Sequence, residues 1–285
     1  MWSLRFRAPA GGHAVLADAL EDVAVAVSTF GPDASEFWQA EALFSEEAAA
    51  RAARNHMRRL AASLGTALSD VRLDRLPARD WLAANRRDFP PVRAGRYFIR
   101  GSHVEGPSPP ATVPIVLDAS VAFGTGEHAT TTGCLLAFDR LAGRHRIRRV
   151  LDLGTGSGIL AIAAAKTLRV PIFAADIDHQ SVRLARDNAR RNGVAALVSV
   201  RPSVGFVGLP RGRRYDLIFA NILARPLIVL APAIARHLAR GGVAILSGLL
   251  SRQRSAVIAA YRAQRLRLLR SIRIGDWLTV IVGRR

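Results

Sequence analysis

The chain has 285 residues, half of them hydrophobic, with 41 basic and 22 acidic residues and a formal charge of +19. That length exceeds one typical domain and predicts two, one of them able to bury a substantial core. No charge-free run of eighteen apolar residues occurs, which argues against a membrane span. The first twenty residues, with Arg5, Arg7 and Asp18, hold no continuous apolar segment, so no signal peptide is expected. Cys134 is the only cysteine, which argues against a disulfide framework or a cysteine-based zinc site and makes a reducing cytoplasm the expected location.

The charge is unevenly spread. Lys166 is the only lysine, and arginine supplies the rest, as a genome-wide codon bias would. Residues 1–80 carry nine arginines against eleven acidic residues, net −2, and residues 81–285 are net +21. Residues 8–50 contain eight acidic residues and neither arginine nor lysine. Such a surface attracts a basic partner and repels phosphate, unless it is only an ordinary solvated face. The arginine-rich remainder is read as solubility and codon bias in preference to RNA binding.

Taken in chain order, residues 2–8 alternate around Trp2, Leu4 and Phe6 and predict a strand. A short helix follows Gly12, then strands at 23–30 and 37–44 separated by the turn signal Gly31-Pro32-Asp33. Ser45, placed as N-cap before Glu46 and Glu47, opens an alanine-rich helix to about Leu64, and 71–76 makes a fourth strand. The order β-α-β-β-α-β over residues 1–76 predicts a small ferredoxin-like α+β domain. Residues 77–110, rich in proline and glycine, are expected as a semi-rigid interdomain linker with one anchored piece at Tyr97–Arg100.

From 111 to 285 strands and helices alternate, predicting an α/β domain built on a doubly wound parallel sheet. Residues 130–141 suit a helix that Thr130, Thr131 and Thr132 could cap or back-bond. A strand at 150–151 leads into Asp152-Leu-Gly154-Thr155-Gly156-Ser-Gly158 and then an apolar helix, the layout of a glycine loop that cradles a nucleotide-like cofactor. A strand at 171–175 ends on Asp176, whose carboxylate can accept both hydroxyls of a ribose. A helix at 180–192 closes at Gly193, and a strand follows near 197–200. Residues 201–214 contain no acidic or amide side chain, so adenine recognition there would use backbone groups. The strand 215–220 ends in Asn221-Ile-Leu-Ala224, followed by a helix at 226–238 closed by Gly241-Gly242 and a strand at 243–246. After a helix at 253–264, runs 266–274 and 277–282 meet across Gly275-Asp276 as a terminal antiparallel hairpin.

Gly156-Ser-Gly158-Ile-Leu-Ala161 also fits the loose dinucleotide pattern, so the glycine loop and Asp176 suit NAD and S-adenosylmethionine equally. Asn221 separates the two. An amide at a strand's carboxyl end has no role in hydride transfer but can orient an amine nucleophile. The hairpin points the same way, to a Rossmann-like methyltransferase domain.

One further segment, Ala122-Phe-Gly-Thr-Gly-Glu-His-Ala-Thr-Thr131, completes a pattern that resembles the PrmA family, which methylates the stalk-base protein of the large ribosomal subunit. The resemblance covers essentially the whole chain. It implies a ferredoxin-like substrate-recognition domain, a linker and a class I S-adenosylmethionine-dependent methyltransferase domain. It implies that Thr131 contacts the cofactor, that Gly154 opens its loop, that Asp176 binds the ribose, and that Asn221 stands at the methyl-transfer end as the catalytic residue. Thr155, Gly156 and Asp152 complete the expected cofactor set, with Asp152 as a brace of the loop. Gly124 and Gly126 would let their loop fold over the cofactor, and His128 is a candidate base for which a polar loop residue is the plainer reading.

The implied reaction methylates lysine side chains and the N-terminal amine of the stalk-base protein, by a monomer, with incidental contact to ribosomal RNA admitted. Three rivals stand beside it. A ribosomal RNA methyltransferase is favoured by the +21 half and disfavoured by the acidic stretch. A non-catalytic, cofactor-sensing ribosome-associated protein would bind without turnover. A glutamine methylase is disfavoured because Asn-Ile-Leu-Ala replaces Asn-Pro-Pro-Tyr.

Overall fold

The computed structural model describes residues 1–21, 23–31, 37–75, 91–117, 129–143, 146–209 and 212–284. The chain divides into two units, Met1–Asp80 and Trp81–Arg285.

In the first unit, β1 (Trp2–Pro9), α1 (Ala10–Glu21), β2 (Ala26–Phe30), β3 (Phe37–Phe44), α2 (Glu47–Ser63) and β4 (Ser69–Arg75) form an antiparallel sheet in the order β2-β3-β1-β4. This is the ferredoxin-like arrangement. Alternation in β1 buries Leu4 and Phe6, which pack with Leu16, Leu20, Phe44 and Met57 from the other elements. Two local expectations need correction. β2 starts at Ala26 because Val23 and Ala24 still donate to the Leu20 carbonyl and finish α1. The N-cap of α2 is Glu46 in place of Ser45, and Ala50 makes the first helical bond to the Glu46 carbonyl.

The second unit begins with a small sheet where a linker was expected. β5 (Val92–Ala94), β6 (Tyr97–Gly101) and β7 (Val113–Leu117) pair in that order. Tyr97 is fully buried and stacks on Phe138, and Arg96 pairs with Asp139. These aromatic and ionic anchors belong to the helix α3 (Ala129–Ala142), so the proline-rich composition hides a docked element.

The remaining elements are β8 (Val150–Leu153), α4 (Ile159–Leu168), β9 (Ile172–Asp176), α5 (His179–Arg191), β10 (Val198–Pro202), β11 (Tyr215–Asn221), α6 (Ala224–His237), β12 (Leu238–Leu250), α7 (Arg254–Ala263), β13 (Arg267–Ile274) and β14 (Trp277–Gly283). They build a seven-stranded sheet, β10-β9-β8-β11-β12-β14-β13. β10 to β12 are parallel and β14 inserts antiparallel between β12 and β13, as the expected hairpin. Adjacent residues of β11 sort to opposite faces: Leu217 and Phe219 pack with Phe138, Ile162 and Val182, whereas Ile218 and Ala220 pack with Leu227, Ile234 and Tyr261. Helices therefore cover both faces, which is why the central strands are near-continuous apolar runs. Gly241-Gly242 does not close α6. It lies inside β12, where Gly241 has φ +73° and the register shifts against Tyr215–Leu217, a bulge admitted by glycine.

Candidate active site

The site is assembled at the carboxyl edge of the parallel strands. β8 leaves the sheet at Gly154, with φ +70°, and the loop returns into α4 through Gly158, with φ +83°. The Gly154 and Thr155 amides donate to the Ala175 carbonyl at 2.8 and 3.0 Å, tying the loop to the end of β9. Gly158 is required by packing as well as by φ, because a Cβ there would lie 3.0 Å from the Ala185 Cβ on α5. Asn188 of α5 donates to the Ser157 carbonyl at 2.9 Å and holds the other side.

Asp152 lies under this loop, 1% exposed. Its Oδ2 accepts from the Thr155 hydroxyl at 2.6 Å and the Ala161 amide at 3.1 Å, while Oδ1 is buried without a hydrogen bond. Burial pushes its pKa up to about 7 against the two hydrogen bonds, with the neighbouring Asp176 adding to the rise. The structure thus places Asp152 as a brace and turns the Thr155 hydroxyl inward onto it.

Asp176 ends β9 half-buried. Its Oδ2 accepts from the Gly156 amide at 2.8 Å and its Oδ1 from the Asp178 amide at 3.0 Å. Each carboxylate oxygen has a second lone pair available for a hydroxyl. Asp178 in turn caps α5 through the Gln180 and Ser181 amides. Two apolar side chains flank this position in the open: Ile177 is 69% exposed and Val204 is 64% exposed. The second is brought alongside by the bond from the Ser203 amide to the Asp176 carbonyl, 2.8 Å.

Asn221 ends β11. Its Nδ2 donates to Thr131 Oγ1 at 3.3 Å, joining the strand end to the first turn of α3, where Thr131 is 1% exposed. The donor half of the amide is thereby occupied, and Oδ1 makes no hydrogen bond among the described residues. Ile222 sits between two glycines: a Cβ at Gly154 would overlap its Cγ2, and a Cβ at Gly248 would overlap its backbone carbonyl. The cofactor loop, the Asn221 turn and β12 are therefore in mutual contact.

Sequence reading missed a buried polar pair behind this site. Ser247 Oγ and Thr279 Oγ1 are 2.8 Å apart, and Ser247 also donates to the Thr130 carbonyl at 3.3 Å. Together they hold the start of α3 against β12 and β14. The available signal was a lone hydroxyl in each of two otherwise apolar strands. Cys134 is buried beside Ser247, and burial raises its thiol pKa so that it stays protonated. The segment 118–128, with Gly124, Gly126 and His128, lies outside the described residues. Among the described residues no group of three or more His, Cys, Asp or Glu could hold a metal ion, and no helix is long and apolar enough to cross a membrane.

The model of the family described as ribosomal protein L11 methyltransferase (PrmA) matches residues 9–285. The chain belongs to that family. It is 48% identical over 219 residues to the ribosomal protein L11 methyltransferase of Chelativorans sp. (strain BNC1), covering 76% of each chain. The corresponding protein of Rhizobium etli is 46% identical over 226 residues, covering 78% of this chain and 77% of that one. The crystal structure of a ribosomal protein L11 methylase from Lactobacillus delbrueckii subsp. bulgaricus matches with a TM-score of 0.63 at 30% identity, covering 68% of this chain and 98% of that chain.

A member of this family is a methyltransferase, and its cofactor is S-adenosylmethionine. The residues present fit that cationic, ribose-bearing molecule. Asp176 offers negative charge and hydroxyl acceptors, the buried Asp152 Oδ1 makes no hydrogen bond among the described residues, and the left-handed glycines 154 and 158 keep side chains away from the loop. Ile177 and Val204 supply apolar surface for a purine.

Proposed function

We propose that this methyltransferase acts in the cytoplasm on the ribosomal protein L11, methylating lysine side chains and the N-terminal amine. The observation that carries the amine assignment is the Asn221–Thr131 bond, which leaves Asn221 Oδ1 as an acceptor beside the cofactor loop.

A lysine amine has a pKa near 10.4, so roughly one in 2,500 is neutral at pH 7, and only that form has a lone pair to attack. When bound, S-adenosylmethionine supplies an electrophilic methyl group on a sulfonium. Asp176 would accept the ribose hydroxyls, Gly154 and Gly156 would let the backbone approach, and Ile177 and Val204 would cover the adenine. Asn221 Oδ1 and a neighbouring backbone carbonyl accept hydrogen bonds from the amine and hold its lone pair toward the methyl. The surplus proton passes to solvent. In this reading Thr131 sets the orientation of Asn221 through their shared hydrogen bond and contacts the amino-acid end of the cofactor.

Residues 1–76 serve as the substrate-recognition part, supported by the eight acidic residues at 8–50, which suit a small basic protein. The connecting stretch lets several amines of one substrate reach the same site. Restraining it by cross-linking is expected to change which amines are modified, and an unchanged pattern would count against this role.

The deciding experiment is transfer of labelled methyl from S-adenosylmethionine into separated ribosomal proteins and ribosomal RNA, using ribosomes that lack the activity. Label confined to one small basic protein supports the reading. Label in RNA overturns the substrate, and cofactor binding with no transfer overturns the enzyme.

A further inference from the structure

One line of register crosses six strands of the large sheet: Ile172, Val150, Leu217, Val243, Gly283 and Arg267 are successive neighbours. β13 runs in the same direction as β12, because each is antiparallel to β14. The line therefore marks the amino edge of five strands, opposite the edge that carries Asn221. An arginine stands two or three residues before it on every one of the five. Arg169 precedes Ile172, Arg148 precedes Val150, Arg214 precedes Leu217, Arg240 precedes Val243, and Arg265 precedes Arg267. All five are exposed, and none of their side chains makes an ion pair or hydrogen bond among the described residues.

Among the described residues no free acid stands beside them. Residues 146–284 contain six aspartates and no glutamate. Asp152, Asp176, Asp178 and Asp276 lie at the carboxyl edge, and Asp187 is on α5 with Arg190. Of the acids near the amino edge, Asp216 is taken by Arg149 at 2.9 Å, and Asp139, in the last turn of α3, by Arg96. The helices run against the strands, so their carbonyl ends also face this edge. Yet Arg169, the C-cap residue of α4, lends no guanidinium hydrogen bond to those carbonyls. Helix capping does not account for the belt.

We infer that this arginine edge is a docking face for the phosphate backbone of RNA. Six neighbouring strands span about 24 Å, enough to meet several phosphates. Guanidinium groups pair bidentately with phosphate oxygens; here four stand on separate loops and Arg240 on the first residues of β12. None of the large exposed apolar side chains falls in these loops, which favours a polyphosphate over a lipid surface. The face lies wholly in the second unit and away from Asn221, so it acts independently of the methyl-transfer chemistry.

The test is fluorescence anisotropy of the full-length protein with a fluorescein-labelled 24-nucleotide RNA hairpin, titrated in 50 to 200 mM KCl. Four or five phosphate contacts predict that log K falls with log salt at a slope of about −3 to −4. The variant R169Q/R214Q/R240Q/R265Q is expected to bind about 30-fold or more weakly and to shrink the slope by about 3. The control R58Q/R59Q/R72Q/R75Q removes equal charge from the first unit and is expected to change binding by less than about threefold. Methyl transfer to the isolated protein substrate should be the same in wild type and in R169Q/R214Q/R240Q/R265Q, which separates this inference from the substrate assignment. Single variants R169Q and R240Q, each expected to reduce the slope by about 0.7, provide the readout if the quadruple variant unfolds. Absence of RNA binding at 50 mM KCl, equal losses in variant and control, or binding to vesicles containing phosphatidylglycerol without binding to RNA would each overturn it.

Discussion

The two edges of the seven-stranded sheet are ends of the same strands and carry opposite chemistry. At the carboxyl edge β9 and β11 finish in Asp176 and Asn221, β8 carries Asp152 one residue before its end, and glycines bring the backbone of neighbouring loops into contact. At the amino edge four of them start after Arg148, Arg169, Arg214 and Arg265, and β12 carries Arg240 before its glycine bulge, all five exposed. The interiors of the central strands are alike, buried on both faces by apolar clusters. What differs is desolvation. The carboxyl edge holds charge under cover, where a missing partner shifts a pKa and a ligand can repair the deficit. The amino edge holds charge in water, where single contacts are weak and only their sum matters.

That contrast makes the effects of mutation unequal. The largest loss is expected from Asn221→Ala: turnover falls about 100-fold, while the dissociation constant of S-adenosylmethionine, measured by calorimetry, stays within about threefold. Equal losses in both would sink the assignment of Asn221 to the amine.

Gly154→Ala should come next. A left-handed alanine costs about 1–2 kcal/mol, before Ile222 is displaced. Cofactor affinity is expected to fall about 5- to 30-fold, and the thermal midpoint to fall with it. An unchanged midpoint would show that Ile222 does not hold the loop.

Ile177→Ser probes the open apolar flank. Losing about 1.5 kcal/mol of apolar burial on binding predicts roughly tenfold weaker cofactor binding. The cofactor-free protein should unfold at the same temperature, because the side chain is exposed.

Asp152 links the carboxyl edge to pH. Its pKa is raised from 3.8 to about 7, so between these values the folded cofactor-free protein holds a proton that the unfolded chain has released. Stability from this group is therefore present at low pH and lost as pH rises through that window. Denaturant unfolding at pH 5 and pH 7.5 should show wild type losing on the order of 1 kcal/mol relative to Asp152→Asn. No difference between the two slopes would mean that Asp152 is solvated.

The smallest effect belongs to the amino edge. Arg214→Gln is expected to leave stability within about 0.5 kcal/mol and methyl transfer to protein unaltered. A large loss of either would give that edge a structural role and erase the contrast.

The backbone pattern of the carboxyl edge was legible because each of its pieces is local in sequence. The glycine loop, Asp176 one helix later and Asn221 at the end of an apolar run are local patterns, and the strand periods around them are strong. The hairpin was legible because Gly275-Asp276 interrupts two apolar runs. In the stretch 92–117 only the piece at Tyr97–Arg100 was legible; its pairing into a sheet was not, since proline and glycine composition describes the turns and the partner that buries Tyr97, Phe138, is far along the chain. The bulge at Gly241-Gly242 looks the same as a helix stop until β11 is laid beside it.

By itself, the sequence determined the α+β and α/β elements, the glycine turn after β8 and the identity of the strand-end residues. Those follow from backbone sterics and hydrophobic period, which act over a few residues. Tertiary structure alone decided that Asn221 bonds Thr131, ninety residues away, that Ser247 and Thr279 stand behind them, and that scattered arginines form one edge. Strand order and register bring distant residues together, and they are set by the global packing of apolar faces, which no local window contains.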